Sequence, residues 1–128
     1  MRILVVDDVP VVRLVIAKAL RRAGHAVAEA DNGLDALQQA SGDKVDVVVS
    51  DIWMPGMDGL DLIQSLKQCA PHAGVVAMSG GNPRSTMAGT LADAMAVGAD
   101  VTIMKPIDKD ELLAAVDRAA CTVKRNTP

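Results

Sequence analysis

The sequence predicts an α/β fold in which a five-stranded parallel sheet is covered by helices on both faces. Apolar runs and amphipathic stretches alternate five times along the chain, with short connections between them. This alternation is typical of strand–helix units, whose strands lie parallel in one sheet. The length of 128 residues fits one domain. We expect residues 1–122 to form that domain and residues 123–128 to form a C-terminal tail.

The predicted strands are short runs dominated by Val, Ile, Leu, Met and Ala. Continuous apolar runs are expected of strands that are buried on both faces. The second run is the weakest of the set. The five runs are residues 3–6, 26–30, 45–50, 75–78 and 101–104.

Between the strands, apolar residues recur at the spacing of one helix face. Gly24 stands where a helix C-terminal cap belongs, and Asp108 with Glu111 has the spacing of a capping box. The apolar sets are Val12, Val15, Ile16, Ala19, Leu20 and Ala23 in the first helix, Leu34, Leu37 and Ala40 in the second, Leu60, Leu62, Ile63 and Leu66 in the third, Met87, Leu91, Ala94 and Met95 in the fourth, and Leu112, Leu113, Val116 and Ala120 in the last. We expect Met87, Leu91 and Met95 to face the core.

Composition argues against several classes of function. Trp53 is the one aromatic residue, which disfavours a cofactor held between rings and the stacking of nucleic-acid bases. The net charge is −3 and Lys and Arg form no dense run, so we expect no direct binding of nucleic acid or membrane. Cys69 and Cys121 match no metal spacing and are expected to be free thiols in a reducing compartment. The first apolar run is too short for a signal peptide or a membrane span, so a cytoplasmic location is expected.

Polar residues follow the strands at the edge where parallel sheets bind ligands. Asp7 and Asp8 follow the first strand, Asp51 ends the third, Ser79 follows the fourth and Lys105 follows the fifth. Each has a simpler explanation, since Asp8 could cap a helix, Asp51 could open a loop, Ser79 could be a turn hydroxyl and Lys105 could be a solvated charge. Their common placement at one edge of the sheet favours a shared functional site over these separate explanations.

Three clustered carboxylates repel one another and require a cation. Their oxygen donors favour Mg²⁺ over zinc. A carboxylate beside Mg²⁺ can attack phosphorus and form an acyl phosphate. Mg²⁺, Lys105 and Ser79 would then neutralise the oxygens of the transferred group.

Three segments resemble the response-regulator receiver family. They are Ile3-Leu4-Val5-Val6-Asp7-Asp8, Asp51-Ile52-Trp53-Met54-Pro55-Gly56-Met57-Asp58-Gly59 and Lys105-Pro106. The resemblance implies a doubly wound, flavodoxin-like sheet of order 2-1-3-4-5 and a cis Lys105-Pro106 bond. It also implies that Asp51 is the phosphoacceptor, that Asp8 binds Mg²⁺ directly and Asp7 through water, that the backbone carbonyl of Trp53 is a further ligand, and that Ser79 and Lys105 contact the phosphate.

The resemblance further implies a role in a two-component phosphorelay. A histidine kinase or histidine phosphotransfer protein would phosphorylate Asp51, and the change would switch binding of a downstream target. The chain would act only on itself, through phosphoryl transfer and autodephosphorylation. A stand-alone, chemotaxis-type receiver and a receiver cut from a longer protein both fit, and Met1 directly before the first strand favours a natural start.

The sequence departs from the family at Thr102, where most receivers carry Tyr or Phe. Thr lacks the volume for the family's aromatic switch. Gly80 and Gly81 make the loop after Ser79 permissive. The hypothesis is therefore that loop motion transmits the signal.

Two alternatives remain. A Mg²⁺-dependent phosphatase with an aspartyl nucleophile would need a second Asp at position 53, where this chain has Trp. A flavin carrier on the same fold would need a hydroxyl-rich phosphate loop after the first strand, together with aromatic rings.

Overall fold

The computed structural model describes residues 1–42, 44–52, 59–79 and 93–126. Several sequence predictions fall outside these residues. They concern Trp53, Asp58, Gly80, Gly81, Met87 and Leu91.

Five parallel strands form one sheet in the order β2-β1-β3-β4-β5. The strands are β1 (Arg2–Val6), β2 (Ala26–Ala30), β3 (Val47–Asp51), β4 (Gly74–Ser79) and β5 (Val101–Met104). The predicted class and strand order are confirmed. Asp51 ends β3, as predicted, whereas Ser79 is the last residue of β4 and not the first residue after it. Ladder pairing with the neighbouring strands therefore holds both of them.

The helices begin and end near the predicted signals. They are α1 (Pro10–Arg22), α2 (Gly33–Gly42), α3 (Gly59–Cys69) and α4 (Lys109–Asn126), and residues 93–97 are also helical. Gly24 follows α1 with φ 96°, a conformation that favours glycine at a helix end. The backbone N–H of Glu111 donates to Asp108 Oδ2 at 3.0 Å, which is one half of the predicted capping box. Helix α4 continues to Asn126, past the predicted boundary at residue 122.

The sheet separates two apolar clusters, which confirms helices on both faces. Alternate residues of β1 point to opposite sides. Leu4 and Val6 pack with residues of α2 and α3, whereas Ile3 and Val5 pack with residues of α1 and α4. The central strands are thus buried on both faces, as their continuous apolar runs predict.

Three large residues of the predicted apolar helix faces are exposed, and so is the small residue Ala23. Val15 is 63%, Leu34 68% and Met95 49% exposed. The buried positions of α1 are Ile16, Ala17 and Leu20, and those of α2 include Ala36 and Ala40. The apolar arc of each helix is therefore wider than the strip that packs against the sheet.

Within the described residues, no helix combines the length and the apolar character needed to cross a membrane.

Gly74 provides a test of how closely α4 packs on the sheet. A Cβ at position 74 would lie 2.6 Å from the backbone oxygen of Ala119 in α4. We expect Gly74→Ala to lower the free energy of unfolding by about 1–3 kcal/mol, because α4 must shift to accommodate the methyl group. Urea unfolding measures this. Gly42→Ala is the control, since its Cβ would meet nothing within 4 Å, and equal stability of the two variants would contradict the packing.

Candidate functional site

The carboxyl ends of the central strands bring the predicted polar residues to one edge. Asp7 directly follows β1, and its backbone N–H donates to Ala30 O at 3.2 Å, which extends the pairing with β2. Asp51 is paired with Met78 of β4. The N–H of Lys105 donates to the backbone oxygen of Ser79 at 2.8 Å. Each residue is therefore tied to a neighbouring strand through its own backbone.

The three aspartates form one acidic cluster. One carboxylate oxygen from each of Asp7, Asp8 and Asp51 lies within 4.8 Å of the others. Asp7 is fully buried and Asp51 is 5% exposed, whereas Asp8 is half-buried. An all-oxygen donor set suits a hard divalent cation such as Mg²⁺ or Ca²⁺. The cluster therefore fits a metal of that class on its geometry and chemistry.

The ammonium of Lys105 lies between two of these carboxylates. Its Nζ is 3.0 Å from Asp51 Oδ2 and 3.1 Å from Asp7 Oδ2. Burial alone lowers the pKa of Lys105, but attraction to Asp51 and hydrogen bonds to Asp51 and Asp7 outweigh it and raise the pKa above its ordinary value. Lys105 is therefore a cation aimed into the cluster, as the sequence predicted, and not a solvated surface charge.

The simpler explanation of Asp8 as a helix cap is wrong. Val9 is the N-cap residue of α1, it makes no side-chain cap bond, and Pro10 occupies the first turn. The backbone N–H of Val9 donates to Asp7 Oδ1 at 2.9 Å. It is thus Asp7 that binds the start of the helix, which leaves the Asp8 carboxylate at the acidic cluster.

Ser79 and the Lys105-Pro106 bond also lie at this edge. Ser79 is buried, and the peptide bond between Lys105 and Pro106 is cis, as the resemblance implied. Thr102 is half-buried in β5 and pairs with Ala77. The Trp53 carbonyl and the Gly80-Gly81 loop lie outside the described residues, so the ligand at Trp53 and the loop-motion hypothesis stay predictions.

Sequence reasoning missed Arg13. Its Nη1 donates to the backbone oxygen of Asp7 at 2.9 Å, and its Nε lies 3.3 Å from Glu29 Oε1. A signal was available, since Glu29 is the one charged residue within the second predicted strand. The hydrogen bond from Arg13 to the Asp7 carbonyl, however, could not be predicted, because every residue has a backbone carbonyl and the side-chain pattern does not indicate which one accepts.

A family model described as the response regulator receiver domain matches residues 3–117. The chemotaxis protein CheY of Listeria monocytogenes is 35% identical over 121 residues, which cover 94% of this chain and 98% of that protein.

Solved structures are similar as well. A CheY-like receiver domain protein from Methanospirillum hungatei JF-1 has a TM-score of 0.87 over 98% of both chains, and its 22% identity supports the fold alone. A Burkholderia pseudomallei response regulator with a phosphorylated aspartic acid, a calcium ion and citrate has a TM-score of 0.81 and 30% identity, covering 98% of this chain and 71% of that one.

Lys105→Met tests the balance of charge in the cluster. We expect it to lower the free energy of unfolding by about 2 kcal/mol in metal-free buffer at neutral pH, because two buried carboxylates lose the ammonium that compensates their charge. Since the folded-state pKa is raised, the contribution of Lys105 is complete below its unfolded value of about 10.4 and disappears as the pH rises through the folded value. Urea unfolding at several pH values measures the difference.

The control is Lys18→Met, which removes an exposed lysine of α1. Equal stability of the two variants at neutral pH would contradict the charge balance derived from the contacts of Lys105.

Proposed function

This chain belongs to the response regulator receiver family and functions in two-component signalling, and from that premise we propose that it accepts a phosphoryl group on Asp51 in a Mg²⁺-dependent reaction. The observation that carries the proposal is the position of Lys105, whose ammonium bridges Asp51 and Asp7 within the acidic cluster. Asp51 is the carboxylate of the cluster that ends the central strand β3.

In the proposed reaction, an oxygen of Asp51 attacks phosphorus and forms an acyl phosphate while the bond from phosphorus to the donor breaks. Asp7, Asp8 and Asp51 would hold the cation, which neutralises charge on the transferred group. Lys105 would exchange its contact with the Asp51 carboxylate for one with a phosphoryl oxygen. The Ser79 hydroxyl, buried at the end of β4, would donate to another oxygen.

A donor protein has to cover this edge of the sheet to bring phosphorus to Asp51. We propose a histidine kinase or a histidine phosphotransfer protein as donor. The surface beside Lys105 supports such an approach, because Val11 and Val15 of α1 are exposed and line an apolar groove with Pro106 and Ile107. Phosphorylation would then switch the binding of a downstream target protein.

The proposed role is that of a binding switch, with autodephosphorylation as its only hydrolytic activity. A phosphatase acting on external phosphoesters is disfavoured, because the indole of Trp53 cannot serve as an acid or base two residues after Asp51. A cytoplasmic location is supported by Cys69 and Cys121, which are free and exposed.

We expect Asp51→Asn to abolish labelling by acetyl phosphate, because the amide cannot act as the nucleophile. Intact-protein mass spectrometry with Mg²⁺ present measures the gain of one phosphoryl group. Asp46→Asn is the matched control, since Asp46 is an exposed carboxylate just before β3, at the opposite end of the same strand. Labelling that persists in Asp51→Asn would show that the acceptor lies elsewhere.

Asp8→Ala should weaken Mg²⁺ binding at least tenfold, because it removes one of the proposed ligands. The fold should stay intact, because the substitution also removes one charge from a cluster of like charges. The fluorescence of Trp53, the single tryptophan, should respond to Mg²⁺ and then to beryllofluoride in the unaltered chain. Titration of that signal gives the dissociation constant, and circular dichroism checks the fold. Unchanged affinity would remove Asp8 from the metal site.

A further inference from the structure

The geometry points to Arg13 as a positioning residue for the acidic cluster: its guanidinium holds the peptide unit between Asp7 and Asp8, and Glu29 of β2 holds the guanidinium. This inference rests on the proposed function, because its consequence is measured as affinity for a divalent cation.

The first step concerns the carbonyl of Asp7. Arg13 Nη1 donates to that oxygen at 2.9 Å, from a side chain that is 19% exposed. The carbonyl belongs to the planar peptide unit whose N–H is that of Asp8. A bond to this oxygen therefore orients the unit that joins two of the three carboxylates.

The other groups of Asp7 are held independently of Arg13. Its N–H donates to Ala30 O, its Oδ1 accepts from Val9 N, and its Oδ2 accepts from Lys105. Among these contacts, the bond from Arg13 is the one directed at the peptide leading to Asp8. Without it, we expect the half-buried Asp8 to lose orientation before Asp7 does.

The second step concerns what holds Arg13. Its Nε lies 3.3 Å from Glu29 Oε1, and Arg21 Nη2 lies 3.3 Å from Glu29 Oε2. Glu29 is paired with Val5 in the sheet, so its position is set by the strands and not by α1. The guanidinium uses two of its nitrogens on two acceptors, an arrangement that a Lys ammonium at the end of a flexible chain cannot reproduce with the same geometry.

Arg13 has two opposite effects on a bound cation. Its positive charge repels the metal, so a purely electrostatic role predicts tighter binding when it is removed. Its orientation of the ligands predicts weaker binding when it is removed. The charge of Arg13 is already paired with Glu29, whereas outer contacts that orient metal ligands typically contribute 10- to 100-fold in affinity. Orientation should therefore decide the sign.

The experiment is titration of the full chain with Mg²⁺, followed by Trp53 fluorescence and by calorimetry. We expect Arg13→Met to raise the dissociation constant about tenfold. Arg21→Met is the matched control, because Arg21 contacts Glu29 and the Val27 carbonyl without contacting Asp7, and it should change the constant by less than about twofold. Unchanged or tighter binding in Arg13→Met would overturn the inference.

Glu29→Ala completes a double-mutant cycle. If Glu29 acts through Arg13, the double variant should bind Mg²⁺ about as weakly as Arg13→Met alone. If only charge matters, the two substitutions shift affinity in opposite directions and the double variant returns to the original value.

Arg13→Lys keeps the charge and is the variant to use if Arg13→Met fails to fold. It should bind Mg²⁺ more weakly than the unaltered chain, and full affinity would contradict the role of the guanidinium geometry.

A metal-free measurement separates this inference from the proposed function. The ¹³C chemical shift of the Asp7 carbonyl should move in Arg13→Met and stay in place in Arg21→Met. If the unaltered chain does not bind Mg²⁺, the proposed function fails, while the carbonyl shift still reports whether Arg13 holds the peptide. A shift that stays in place in Arg13→Met would overturn the positioning role itself.

Discussion

The contact of one ammonium with two buried carboxylates is the constraint on which the site depends. Asp7 and Asp51 are almost fully removed from water, and uncompensated charges in such positions are strongly destabilising. Lys105, the residue directly after β5, supplies the compensation, with its Nζ 3.0 Å from Asp51 Oδ2 and 3.1 Å from Asp7 Oδ2. The half-buried Asp8 adds a third negative charge to the cluster, which would leave negative charge available to the proposed divalent cation.

The sheet is what makes this arrangement possible. In the order β2-β1-β3-β4-β5, the strands that carry the acidic residues are neighbours at the centre. The apolar clusters on both faces fix the sheet from either side, without any Phe or Tyr. Because Asp51 and Ser79 end strands, their backbones are held by ladder pairing. Two residues of the site therefore lie on paired strands, and fixed positions of this kind are what the proposed phosphoryl transfer would require.

Periodicity predicted the elements more accurately than their orientation. The alternation of apolar runs located all five strands, and Gly24 and Asp108 marked two helix ends, because these signals are local. The exposure of Val15, Leu34 and Met95 was not predictable in the same way. An apolar arc wider than the contact strip permits several rotations of a helix, and packing against the sheet selects one. The start of α1 shows the same limit, since Asp7 and Asp8 are both suitable capping residues in the sequence.

The sequence by itself determined which chemical groups arrive at the edge of the sheet. An apolar run and the polar residue that follows it are local features, so they can be recognised without knowing how distant parts of the chain pack. Only the tertiary structure decided how those groups meet. The contact of Lys105 with Asp7 joins positions 98 residues apart. The bond from Arg13 to the Asp7 carbonyl uses a backbone acceptor that every residue possesses. Contacts of these two kinds depend on the register and rotation of packed elements, and neither is encoded in the spacing of residues along the chain.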